Sequence, residues 1–117
     1  MTKAKELCSY IVNITQKSPK QFRFTFVSRL QNLALDVIES IYYANEVFIG
    51  KGHEKNAEKR LDLQHRALTT LKIIAYISEL AMTEKCLLLK QYEQIAKLTT
   101  ECRRLMGAWI NSDKKRL

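Results

Sequence analysis

The sequence predicts an all-α protein, one antiparallel up-down-up-down four-helix bundle, and three observations carry that prediction. Ala57, Leu61, Gln64, Leu68, Leu71, Ala75, Ser78 and Met82 recur at alternating intervals of four and three, and so do Leu88, Tyr92, Ile95, Thr99, Cys102, Met106 and Trp109. Such spacing keeps a continuous stripe on one side of a helix of 3.6 residues per turn, so each run can bury a seam along a neighbour. Three glycines and one proline in 117 residues leave few breakers for the turns of a sheet. The chain is long enough for one core and too short for a second, so residues 1–117 form one domain.

The elements follow in order. Over about 4–16, Ala4, Leu7, Cys8, Ile11 and Ile14 share a face and make a short amphipathic first helix. Ser18-Pro19-Lys20-Gln21 reads as a helix start, with Ser18 as N-cap, Pro19 in the first turn and Gln21 completing a capping box. The second helix, about 19–49, carries Phe26, Val27, Leu30, Leu33, Ala34, Val37, Ile38 and Ile41, with Tyr42 and Asn45 on its buried face, and stops at Gly50-Lys51-Gly52. The third spans about 56–83 and the fourth about 87–112, before a basic tail at 113–117. Short connections make neighbours antiparallel, and the shorter first helix covers only part of the groove. Gly107 and Ala108 beside Trp109 predict close approach of a neighbouring backbone.

The third helix is apolar beyond its seam, through Ile73, Tyr76, Ile77 and Leu80, and Phe22, Phe24 and Tyr43 are surplus on the second. Exposed surplus of this kind predicts a homo-oligomer in which Phe22, Phe24, Tyr43, Ile73, Ile77 and Leu80 meet a second copy.

The net charge of +8 divides unevenly: residues 1–30 carry +5, residues 31–102 carry −1 and residues 103–117 carry +4. A field of that sign favours polyanions. Candidate phosphate contacts are Lys17, Lys20 and Arg23 near the start of helix two, and Lys59, Arg60 and Arg66 on helix three. Arg103, Arg104, Lys114, Lys115 and Arg116 complete the set at the end of helix four.

Catalytic chemistry has no signature. Asp62-Leu63-Gln64-His65 has carboxylate-x-x-His spacing, but bundle metal sites require a second copy of that motif, which the sequence lacks. There is no glycine-rich phosphate loop and no nucleophile elbow. Cys8, Cys86 and Cys102 have no C-x-x-C spacing and read as reduced, packed thiols. Neither an apolar run of about 18 residues nor a signal-peptide core is present, so the expectation is a cytoplasmic protein with no membrane partner, no metal, no cofactor and no enzymatic activity.

Lys90-Gln91-Tyr92-Glu93-Gln94-Ile95 and Glu101-Cys102-Arg103-Arg104-Leu105-Met106-Gly107-Ala108-Trp109-Ile110-Asn111-Ser112 resemble the C-terminal helix of the Avd-like four-helix-bundle family. That family includes the accessory variability determinants of diversity-generating retroelements and the proteins encoded in 23S rRNA intervening sequences. Phe26-Val27-Ser28-Arg29-Leu30, Tyr43-Ala44-Asn45 and Arg66-Ala67-Leu68-Thr69-Thr70-Leu71 extend the likeness across about residues 17–112. The resemblance implies a pentameric barrel that binds RNA or an RNA–DNA hybrid and a reverse transcriptase without catalysing synthesis. The alternative is an intervening-sequence-type or orphan bundle that serves as an oligomeric protein-interaction scaffold and binds no nucleic acid.

Overall fold

The computed structural model describes residues 2–116, and among them there are four long α-helices and no strand. They are α1 (Thr2–Thr15), α2 (Ser28–Glu46), α3 (Ala57–Thr83) and α4 (Leu89–Arg116). Helix α2 packs on α3, α3 on α4, and α1 touches both α2 and α4. The result is a rod of 52 × 22 × 19 Å.

Helix α1 buries Ala4, Leu7, Cys8 and Ile11, as its periodicity predicts. Its last inward residue is Thr15 rather than Ile14, which is half-buried. The Thr15 hydroxyl donates to the Ile11 carbonyl at 2.6 Å and accepts from Gln31 Nε2 at 3.0 Å, which fastens the end of α1 to α2.

The expected capping box at Ser18 does not form. Ser18 Oγ instead donates to the Cys86 carbonyl at 3.0 Å, joining the α1–α2 connection to the α3–α4 connection. Helical structure begins after Pro19 as a 3-10 turn, Lys20–Phe22, and a π-helical turn, Arg23–Val27, before α2 proper. Phe22 and Phe26 lie with ring centroids 5.8 Å apart, both half-buried against the core, while Phe24 between them is 87% exposed. The wider π turn accommodates this change of register without breaking the helix.

Helix α2 ends at Glu46, four residues before Gly50, and Val47 turns extended. Ile49 folds back into the core, and Asn56 Nδ2 donates to the Phe48 carbonyl at 2.9 Å. Gly52 has φ +86, which explains a glycine there.

The phase of α3 differs from the predicted seam by one position. Its inward residues are Arg60, Gln64, Ala67, Leu71, Ile74, Ser78 and Ala81, so Gln64, Leu71 and Ser78 face in as expected while Leu61, Leu68, Ala75 and Met82 are only half-buried. Small and polar side chains fill much of this stripe, so the periodicity of large apolar residues points beside it. Lys85, with φ +68, then closes the helix, and Cys86 N–H donates to the Ala81 carbonyl at 2.8 Å in a left-handed cap usually served by glycine.

Helix α4 buries Ile95, Leu98, Thr99, Cys102, Met106 and Ile110, close to its predicted seam. Leu88 at the head of that seam is exposed. The residues expected as a basic tail continue the helix through Arg116, because Asp113 turns inward to an ion pair. Gly107 departs from expectation as well: a Cβ there would meet nothing within 4 Å. Gly107→Ala is therefore expected to stabilise the fold by about 0.8–1 kcal/mol, seen as a higher urea midpoint with an unchanged slope.

Candidate nucleic-acid interface

The outward face of α4 repeats at seven residues. Lys90, Lys97 and Arg104 are exposed and share one side of the helix, two turns apart, so their Cα atoms rise about 10.5 Å from one to the next. Lys115 continues the line. Glu93 lies beside this row, and so does Glu101, four residues after Lys97 and three before Arg104. Glu101 pairs with Lys3 at 3.0 Å while Lys97 and Arg104 help hold its carboxyl low, and Asp113 turns toward the core. A straight row in which cations outnumber carboxylates suits a phosphate backbone.

The sequence candidates fall into three groups. Lys17, Lys20 and Arg23 are exposed around the Ser18–Cys86 junction, where Lys20, Arg23 and Phe24 border one groove. Lys114, Lys115 and Arg116 are exposed at the far end of α4, about 40 Å away along a helix of that length. Arg104 belongs to the ridge between them, whereas Arg103 is half-buried, with Nη2 3.4 Å from Thr100 Oγ1. Lys59 and Arg66 are exposed on α3, and Lys59 lies in a depression that also holds Glu58 and Asp62.

Arg60 has to be corrected. Its side chain is buried, with Nε and Nη2 donating to the two Asp113 carboxylate oxygens at 2.8 and 2.9 Å and Nη1 to the Val47 carbonyl at 3.2 Å. Gln64 Nε2 donates to the same carboxylate at 2.8 Å, and the guanidinium lies 5.0 Å from the Trp109 ring centroid. A buried guanidinium this fully engaged offers nothing to phosphate. Arg60 is a structural clasp between α3, α4 and the end of α2.

Lys90 and Lys97 are the ridge residues that the sequence reading passed over. Their signal was present as a seven-residue repeat with Arg104, but weighting the charge at the chain ends hid it.

Other electrostatics are local. Lys3 sits 3.0 Å from Glu101 and 3.3 Å from Glu6. The hydrogen bond from Lys3 holds the Glu101 carboxyl below its ordinary value, and the bonds to Glu101 and Glu6 raise Lys3. Burial pushes the Cys102 thiol up to about 11, with Glu101 adding to the shift, and burial raises Cys8 and Cys86 too. All three should therefore resist a disulfide reagent at pH 8 in the folded protein and react only on unfolding, as a thiol titration with and without urea would measure. Among the described residues no cluster of three or more His, Cys, Asp or Glu side chains could hold a metal ion, and Asp62 and His65 are both exposed.

A second surface is apolar. Ile73 (41% exposed), Tyr76, half-buried Ile77 and Leu80 (44% exposed) make a stripe on α3. Ile77 shares a groove with Phe24 and Phe26, and half-buried Phe22 lies behind, its ring tilted 51° to that of Phe26. Tyr43 is exposed on α2 but borders none of the grooves around Phe24. No helix among the described residues is long and apolar enough to cross a membrane.

Compared with protein-family models, characterised proteins and solved structures, the chain matches none.

Proposed function

We propose that this chain is a non-enzymatic, cytoplasmic accessory protein that holds RNA or an RNA–DNA hybrid through phosphate contacts and works beside a reverse transcriptase, as its resemblance to the Avd-like family implies. The observation that carries the nucleic-acid part is the row Lys90, Lys97, Arg104 and Lys115 on α4, where four cations stand beside Glu93 and Glu101. The reverse transcriptase enters through the resemblance alone. In this reading the helices alternate in direction and five copies form a barrel, which multiplies the cationic ridge.

The α3 surface favours a second reading, an oligomeric protein-interaction scaffold that binds no nucleic acid. Ile73, Tyr76 and Leu80 are the kind of contiguous apolar side chains that another protein surface covers. Fluorescence anisotropy with an RNA duplex and an RNA–DNA hybrid of the same length separates the two. The first reading expects binding that falls steeply with salt and ignores sequence. Absence of any complex at low salt overturns it and leaves the scaffold.

A further inference from the structure

Tyr42 and Asn45, expected on the buried face of α2, are instead exposed, Tyr42 by 66%. They border a groove of about 430 Å³ between α2 and α4, at the end of the rod where α1 begins, and Lys5 on α1 forms its remaining wall. Ile38, Ile41 and Trp109 supply the apolar lining. That volume falls within the range of small-molecule sites, which combine an apolar floor with a few converging polar groups.

Three features define what would fit. The Trp109 indole is backed by the Arg60 guanidinium, itself clasped by Asp113 and Val47, so one aromatic wall is preset. Among the described residues, the Lys5 ammonium, Tyr42 hydroxyl and Asn45 amide have no partner within the chain and remain available to a ligand. Lys5 is the one charged side chain lining the groove; Glu39 and Glu46, exposed on α2, do not line it. A single lining cation matches a single negative charge and disfavours a polyphosphate chain.

We propose that this groove binds a small aromatic monocarboxylate, with the ring against Trp109 and Ile41 and the carboxylate at Lys5 and Asn45. The site is separate from the α4 ridge and does not depend on nucleic-acid binding.

Trp109 is the only tryptophan in the chain, so its indole N–H gives one resonance in a ¹⁵N–¹H correlation spectrum of the full protein. Titration with 3-phenylpropionate is expected to move that resonance saturably, with half-saturation on the order of 1 mM. The neutral isostere 3-phenylpropan-1-ol should bind at least about tenfold more weakly, as should the acid to Lys5→Gln, whose substituted side chain is exposed. Tyr42→Ala should also weaken the acid. Equal binding of acid and alcohol, an unchanged Lys5→Gln, or no shift by about 10 mM overturns the proposal. Movement of the resonance by an RNA oligonucleotide in place of the acid, or by protein concentration alone, overturns it too, because the groove would then serve a polyanion or a second copy.

Discussion

Asp113→Ala is expected to cost about 3–5 kcal/mol of folding stability. It strands the Arg60 guanidinium in a buried place and removes the acceptor of Gln64 at once. For a domain of this size the melting temperature should fall by roughly 15 °C, measured by circular dichroism at 222 nm. Arg60→Met alone should cost a similar amount, because it leaves the carboxylate unpaired. Combining Arg60→Met with Asp113→Leu should recover most of the loss, since an apolar pair of comparable volume requires no desolvated charge. If the double variant is as unstable as the sum of Arg60→Met and Asp113→Leu measured singly, the pair is not the coupled clasp described above.

The second large effect is on binding. Replacing Lys90, Lys97 and Arg104 together by glutamine is expected to leave stability within about 0.5 kcal/mol, since all three are exposed surface positions. Against a duplex, each lost phosphate contact removes about 0.9 from the slope of log K on log salt, so the slope should shrink by roughly 2.7. At about 0.15 M salt that corresponds to roughly 100-fold weaker binding. A parallel change of Lys17, Lys20 and Arg23 tests whether the other basic end takes part. Should the ridge variant bind as tightly as the parent chain, with the same salt slope, α4 is not the contact surface.

How much of this was legible depended on what each seam is made of. Helix α4 announces itself because Ile95, Cys102 and Met106 mark a single apolar side among charged neighbours. In α3 many large apolar residues lie on the flanks of an inner line in which Gln64, Ala67, Ser78 and Ala81 stand with Leu71 and Ile74, so counting bulk finds the helix and misplaces its face by one residue. Arg60 and Asp113 are 53 positions apart, and each has the look of an ordinary surface charge until the fold brings them within 2.8 Å. Tyr42 and Asn45 continue the inward stripe of α2 on paper, and the fold instead leaves them exposed beside a groove that Lys5 and Trp109 complete from α1 and α4. Ser18 likewise has the ideal residue for a local cap and spends its hydroxyl on Cys86, a partner no local rule can name.

The inverted make-up of α3 also separates two properties that most helices of a bundle merge. Its inner line, where Gln64, Ala67, Ser78 and Ala81 alternate with Leu71 and Ile74, sets how near its neighbours can come, whereas Ile73, Tyr76 and Leu80 point away from them. Changes at Ile73 or Leu80 can thus tune stickiness toward other molecules while the monomer's architecture is left as it was. Changes at Ala67 or Ala81 do the reverse, wedging the rod apart without altering what it presents to its surroundings.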